Sequence, residues 1–394
     1  MTSRAKNALP HHIDYGLLIL IFALIGFGIV MQFSASYGVD AEHPYKFITK
    51  HLMWVGLGLI SMLLMASIDY HTWQSLAIPI MIVSLVLLIA VIFVGVEGVG
   101  GARRHLLGGS LQPSEVAKLA IVIYIATWLA SKGDKIGQVT MGLLPFSVIM
   151  GVFLVLILRQ PDISTSMLIA TTALAMLFIA GADLLQMGIL ILVMGGVFIF
   201  AITQFQHAAG RLEGFPEAIF RPWESPQYQV RAGYAALQSG GLFGKGLTHS
   251  DYKLGQLPIV QSDLVFAIVG EELGLLGALT VIAMFLFLAY KGTRVALNAP
   301  DDFGRLLAFG ITTWIVVQAF INIAVVTVTI PNTGMPLPFF SYGGTSTLMI
   351  MTALGILLNV SKGGGGRFYL DANSLFRRRH RRSRVSHSHR RSRA

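Results

Sequence analysis

Apolar windows of about twenty residues recur along this chain, with short polar stretches between them. A window of that length is a helix that crosses the roughly 30 Å hydrocarbon core of a bilayer. Ten are predicted, near 15–35, 47–67, 74–95, 113–130, 141–158, 163–181, 184–203, 263–290, 304–327 and 341–360. The first begins near Tyr15 and is too long for the apolar region of a signal peptide. No A-x-A site follows it, so it is read as a retained helix. The window at 113–130 is the least regular. It opens with Pro113, Ser114 and Glu115 and contains Lys118, so a partly re-entrant course against protein is also open. The stretch 204–262 is rich in Gly, Pro and aromatics and too long to be a mere connector. The pattern therefore predicts an all-α, polytopic membrane protein of ten transmembrane helices. Its membrane domain spans 15–360, with one large loop, 204–262, between the seventh and eighth helices. Segments 1–14 and 361–394 flank it.

Composition supports this reading. The chain has 394 residues, 54% hydrophobic and only 12% charged, with mean hydropathy +0.69. A soluble protein carries about 25% charged residues. The absence of cysteine excludes disulfides, thiolate metal sites and iron–sulfur clusters. The net charge of +10 is local. Eleven Lys/Arg and a single acidic residue, Asp371, lie from Ser361 onward, while the rest of the chain holds eighteen of each sign. The run Arg377–Arg384 has no apolar period and reads as a disordered cytoplasmic anchor touching anionic lipid. Nucleic acid is not an expected partner.

Ten spans put both termini on one side, and Arg4, Lys6 and the basic tail make that side cytoplasmic. Lys132, Lys135, Arg294 and Arg305 then fall inside as well. Arg103, Arg104 and Arg159 lie in or beside short exterior loops, against the usual bias. Arg211, Arg221, Arg231, Lys245 and Lys253 lie in the long loop, which is exempt from that rule. Basic residues held outside point to an anionic ligand, with phosphate or pyrophosphate the natural candidate because guanidinium pairs with it bidentately. Contact with lipid headgroups is the simpler alternative.

Five constellations carry candidate chemistry. Glu115 and Lys118 are three apart on one helix face and can pair inside the membrane. Arg159-Gln160-Pro161-Asp162 forms a tight turn, in which Asp162 either caps the next helix or faces a ligand. Ser239–Gly246 hints at a phosphate loop, but Gly246 stands where a nucleotide-binding loop needs Ser or Thr. A backbone nest for a substrate phosphate is the reading that remains. Pro336–Ser346 breaks the helical pattern with two prolines and two glycines, and irregular backbone at that depth lines a cavity. Capping by Ser341 or Thr345 competes with that reading. The last is Gln256–Gly277, with Asp263 at the mouth of an apolar helix and Glu271 and Glu272 about 12 Å deeper at 1.5 Å per residue. Carboxylates at membrane depth cost about 2.5–3.5 kcal/mol each on insertion scales, so a function is the default hypothesis for them. Asp263 as a helix cap, and Glu271 and Glu272 as partners of Lys118 or an Arg, are the structural alternatives. Gly270, Gly274 and Gly277 share a face that permits close helix packing.

Taken together, six ordered pieces resemble the SEDS family of shape, elongation, division and sporulation proteins (FtsW, RodA, SpoVE). They are GARR at 101–104, QPSEVAK at 112–118, QPD at 160–162, SGGLFGKGL at 239–247, D-x-x-F-A-x-x-G-E-E-L-G at 263–274 and PLPFFSYGGTS at 336–346. SASY at 34–37, DYHTW at 69–73 and LGILLNVS at 354–361 are closer to the FtsW and SpoVE branch. The resemblance implies a ten-helix bundle in the bacterial inner membrane that polymerises lipid II into glycan strands. It places the key carboxylate at Asp263. Substrate contacts are expected from Arg103, Arg104, Arg159, Asp162, Lys245, Ser341, Gly343 and Gly344, and support from Glu115, Lys118, Glu271 and Glu272. A divalent cation, Mg or Mn, is a candidate cofactor at Asp263. A class B penicillin-binding protein and other division or elongation proteins are the expected partners. Ile259, Ser164 and His105 depart from the common family pattern. A lipid II flippase and a pure scaffold are the competing functions.

Overall fold

The computed structural model describes residues 13–37, 42–97, 103–137, 142–204, 210, 215–253 and 262–363. Arg4, Lys6, Arg211, Ile259 and the basic tail beyond Gly363 lie outside them. The described residues form α1 (Tyr15–Ser36), α2 (Lys46–Ser67), α3 (His71–Ser75), α4 (Ala77–Val94), α5 (Pro113–Lys132), α6 (Leu144–Leu158), α7 (Ile163–Ile179) and α8 (Leu184–Gln204). They continue with α9 (Phe215–Phe220), α10 (Tyr228–Ser239), α11 (Val265–Asn298), α12 (Asp302–Val326) and α13 (Gly344–Gly363). The expectation of an all-α chain needs one correction. Val96–Glu97 (β1) pairs antiparallel with Arg103–His105 (β2), because the loop between α4 and α5 satisfies its backbone as a small ribbon.

Eight of these helices are long and apolar enough to cross a membrane, and α6 and α7 are shorter apolar helices of 15 and 17 residues. The protein is an integral membrane protein. Its outward faces are apolar over whole helices: Leu184, Leu185, Leu192, Ile199 and Phe200 of α8 are all exposed. A water-soluble protein does not show a patch of that size.

The window read at 74–95 is α4, with the short α3 just before it. The window at 113–130 is one unbroken 20-residue helix, with Pro113 in its first turn where a missing N–H costs nothing. α12 is central and packs on α5, α7, α11 and α13. Trp314, Phe266 and Phe285 are fully buried on these helices. α2 and α13 make the closest seam. A Cβ at Gly355 would lie 2.4 Å from the Met62 carbonyl oxygen, so only Gly allows the approach. The Ser61 and Thr352 hydroxyls bond across the same seam at 2.7 Å.

Candidate functional site

The loop from Thr333 to Thr345 gathers the polar residues of five segments. Ser164, at the start of α7, donates to the Thr333 carbonyl at 2.6 Å. Asn322 of α12 donates to the Met335 carbonyl and to the Asp263 carbonyl, both at 2.8 Å. Gln318, one turn earlier, donates to the Pro336 carbonyl at 3.1 Å. The Thr345 hydroxyl donates to the Ser110 carbonyl at 2.8 Å and accepts from the Gln112 amide at 3.2 Å. The extended prolines of this loop leave carbonyls without helical partners, and buried amide side chains meet them. The predicted break at Pro336–Ser346 is therefore a hub.

Each predicted site residue has a definite place around that hub. Asp162 caps α7, accepting from the Thr165 amide at 3.2 Å, and takes a bond from the Ser114 hydroxyl at 3.4 Å. The capping alternative for Asp162 is what the geometry contains. Arg104 donates to the Gln160 carbonyl at 3.0 Å and to the Pro161 carbonyl, clasping the same turn. Arg103 is exposed on β2, and Arg159 is exposed where α6 ends. The buried Ser341 hydroxyl accepts from the Leu337 amide at 2.8 Å and closes the hub loop. Gly344 starts α13 against the Trp54 ring, where a Cβ would come within 2.4 Å, and Gly343 precedes it.

Glu115 and Lys118 pair at 2.7 Å, both almost fully buried. The Lys118 ammonium also reaches Gln318 Oε1 at 3.0 Å and lies 5.5 Å from the centre of the Trp314 ring. Trp314 in turn donates to Gln318 Oε1 at 3.0 Å. The ion pair is thus fastened to α12 and, through Gln318, to the hub.

Asp263 is half-buried just before α11. The helix begins at Val265, with Leu264 at the cap position and no side chain capping it. The competing reading of Asp263 as a helix cap is corrected, since it lies one residue too early. Asn322 holds its backbone, and the Ser262 hydroxyl donates to Oδ1 at 2.8 Å.

Glu271 and Glu272 do not sit in an unbroken helix, and they do not pair with Lys118 or an Arg. α11 is interrupted at Gly274, where φ is +67° and ψ is −166°, a conformation that is essentially glycine-only. The loop 240–246 runs alongside this break and bonds to it in both directions. The Lys245 amide donates to the Glu271 carbonyl at 3.0 Å and the Gly246 amide to the Glu272 carbonyl at 2.9 Å. The Leu275 and Leu276 amides donate back to Gly241 and Leu242 at 2.9 and 3.3 Å. Gly274 shares no smooth packing face with Gly270 and Gly277; a Cβ on it would lie 2.4 Å from the Gly244 nitrogen. The amides of Gly244, Lys245 and Gly246 all bond within the protein, so the expected phosphate nest becomes a helix splint.

The two glutamates lock this splint. Glu271 takes the Lys245 ammonium at 2.8 Å, the Ser250 hydroxyl and the Asp251 amide at 3.0 Å. Glu272 takes the Lys253 ammonium at 3.2 Å and the Ser34 hydroxyl at 2.7 Å. Lys245 also pairs with exposed Asp251 at 2.9 Å. The hydrogen bonds of Asp251 and Glu271 hold the Lys245 ammonium above its ordinary value, and Lys245 holds the Asp251 carboxyl below its own. Ser34, Gln318 and Asn322 were missed by sequence reasoning, and Lys253 was read only as a cation of the long loop. Gln318 and Asn322 left a signal: two amide side chains four apart inside an apolar window share one helix face.

Depth can be read along α1. Asp14 at its start pairs with Lys291 of α11 at 3.0 Å, and Ser34 near its end meets Glu272. Residues 14 to 34 span about 30 Å at 1.5 Å per residue, one hydrocarbon thickness. The Glu272 level is therefore one boundary of the apolar slab. Asp263 ends the arm beyond the Gly274 break, and its backbone is held by Asn322, which stands ten residues, about 15 Å, along α12 from Thr312 at the Gly292 level.

Comparison with known proteins agrees with the motifs. A family model described as "Cell cycle protein", covering FtsW, RodA and SpoVE, matches residues 15–364. "Probable peptidoglycan glycosyltransferase FtsW" of Trichlorobacter lovleyi is 39% identical over 360 residues, 89% of this chain and 93% of that protein. "Stage V sporulation protein E" of Bacillus subtilis is 36% identical over 360 residues, 89% and 97% of the two chains. The fold matches a solved structure described as "Structural coordination of polymerization and crosslinking by a peptidoglycan synthase complex", with TM-score 0.72, 24% identity, and coverage of 90% of this chain and 99% of that one. It also matches the crystal structure of the Thermus thermophilus rod shape determining protein RodA, with TM-score 0.67, 24% identity, and 90% and 98% coverage.

Proposed function

Since the chain belongs to the FtsW–RodA–SpoVE family, on its FtsW and SpoVE side, we propose that it is a peptidoglycan glycosyltransferase that polymerises lipid II, with Asp263 as its central carboxylate. The placement of Asp263 carries the assignment. It is a half-buried carboxylate that leaves the cap position empty, ends the arm beyond the Gly274 break, and has its backbone held by a buried amide.

Attack of a sugar hydroxyl on the pyrophosphate-bearing carbon of the lipid-linked donor needs a base, and Asp263 is placed to take the proton. A single displacement inverts the α-linked donor to a β-1,4 product. The leaving pyrophosphate needs positive charge. Arg103 on β2 and Arg159 at the end of α6, both exposed, supply it, while Arg104 and Asp162 shape the turn at 160–162. Gly343, just before α13, lets the substrate approach the backbone closely, and Ser341 and Gly344 hold that loop in place. Lys245 supports the site through Glu271 instead of reaching the ligand, because its ammonium already holds two carboxylates.

Among the described residues no cluster of three His, Cys, Asp or Glu could hold a metal. A divalent cation would fit only in the manner of Mg, with Asp263 as its one carboxylate and phosphate and water oxygens as the rest. When bound there it would neutralise pyrophosphate charge. The flippase reading relies on charges lining a path, and Glu115, Lys118, Glu271 and Glu272 are all engaged in ion pairs. We place α6 and α7 with the eight long helices to make ten spans in the inner membrane, with both termini cytoplasmic and the basic tail on anionic lipid. A class B penicillin-binding protein, with other division or elongation proteins, is the proposed partner.

Purified protein given lipid II should yield glycan polymer on a gel. Asp263→Asn keeps the shape and removes the charge, so it should bind lipid II and lose at least ~10²-fold in polymerisation. Near wild-type polymer from that variant would remove the assignment and send attention to translocation assays in liposomes.

A further inference from the structure

We infer that the tip of the large loop, Leu242 and Phe243, is seated in the bilayer, among the acyl chains of the leaflet on the Glu272 side. Leu242 and Phe243 are 60% and 79% exposed, in a loop, 240–246, otherwise built of Gly and Lys. The backbone bonds across the Gly274 break fix where this tip points. The Leu276 amide donates to Leu242, so the tip lies beside the second segment of α11. Leu275, Leu276 and Leu279 on that segment are themselves about half exposed and form its lipid-facing stripe. The tip continues that stripe sideways.

Depth decides what covers it. The Ser34–Glu272 contact marks one hydrocarbon boundary, about 30 Å along α1 from the Asp14–Lys291 pair. Leu275 and Leu276 follow Glu272 by three and four residues, which is about 5 Å inside the slab. Side chains bonded to them through the backbone share that depth. Polar groups of the same loop stay out of lipid: the Lys245 ammonium turns back to Glu271 and Asp251, and Lys253 is buried on Glu272. Water would leave the apolar area of both side chains uncovered, whereas acyl chains cover it. The loop is thereby held at both ends of the splint, by ion pairs on the protein side and by lipid at its tip.

The inference rests on the membrane-spanning fold and not on the enzymatic assignment, so its failure would leave lipid II polymerisation untouched. The chain has no cysteine, so single-site labelling is clean. A nitroxide at Phe243→Cys, in the full chain reconstituted in nanodiscs, should collide with oxygen far more than with a water-soluble nickel chelate. A label at Leu279→Cys gives the lipid reference, and one at Asp251→Cys, whose side chain is 77% exposed in the loop, gives the aqueous reference. A label at 243 that matches Leu279 supports the inference. One that matches Asp251 overturns it. Leu242→Cys repeats the measurement in case the label at 243 disturbs the tip, and the same two outcomes apply.

Discussion

Single residues here are judged by what would be left if one partner went. Lys118 is buried with Glu115, Gln318 and Trp314 around it. Lys118→Met leaves the Glu115 carboxylate buried without its cation, a loss of about 3–5 kcal/mol. A markedly lower melting temperature in detergent is expected. A fully stable Lys118→Met that failed only in polymerisation would instead place Lys118 in the chemistry. Asp14 offers a pH test. Burial raises its carboxyl, but the Lys291 ammonium and the Leu17 amide outweigh this and leave it below the ordinary 3.8. A folded-state value lower than the unfolded one means stability that is present above 3.8 and lost as pH falls through the folded value. Asp14→Asn keeps the cap and removes the charge. It should be less stable than wild type at neutral pH, and the gap should close below pH 3.8 in thermal melts.

Elements show the same logic in backbone form. α11 behaves as two helices with a splint, and the nine residues Val265–Leu273 form an arm that carries Asp263 at its free end. The arm's angle is set by loop amides at 271 and 272, by Lys245 and Lys253, and by Asn322 beside Asp263. Gly274→Ala places a Cβ in a glycine-only conformation and against the Gly244 backbone, at a cost of about 1–3 kcal/mol for the strain alone. The expected result is a lower melting temperature together with strongly reduced polymerisation, because the arm must swing. Gly195→Ala in α8 meets open space and serves as the comparison. It should be neutral or slightly stabilising, by up to about 1 kcal/mol, as for any helical Gly→Ala exchange. Equal losses from both substitutions would show that the splint has no special bearing on the site.

At the scale of the molecule, charge and apolar surface are segregated. The membrane body buries Glu115 with Lys118 and Glu272 with Lys253 as pairs, and shows lipid its Leu, Ile, Val and Phe. The excess positive charge belongs to the C-terminal segment. That segment has no apolar period with which to join the core, so a chain ending near Gly366 should polymerise lipid II in detergent at close to the full-length rate. Loss of activity in such a truncation with an unchanged melting curve would contradict the assignment of the tail as a lipid anchor.

Much of this was legible from local pattern. Window length located the helices, because crossing hydrocarbon requires about twenty apolar residues wherever the chain goes. The i, i+3 spacing of Glu115 and Lys118 made their pairing readable, and the turn before α7 marked Asp162 as a cap, since both depend on residues a few positions apart. The helix break could not be read in this way. Gly270, Gly274 and Gly277 suit a smooth packing face as well as a broken one, and only the backbone of 241–246 lying alongside selects the break. The partners of Glu271 and Glu272 were equally hidden. Ser34 is 238 positions from Glu272, and the Asn322 amide is 59 from Asp263. Periodicity carries no information over such separations. Which buried carboxylate meets which cation was decided by the packing of helices, where an unpaired ion is too costly to leave.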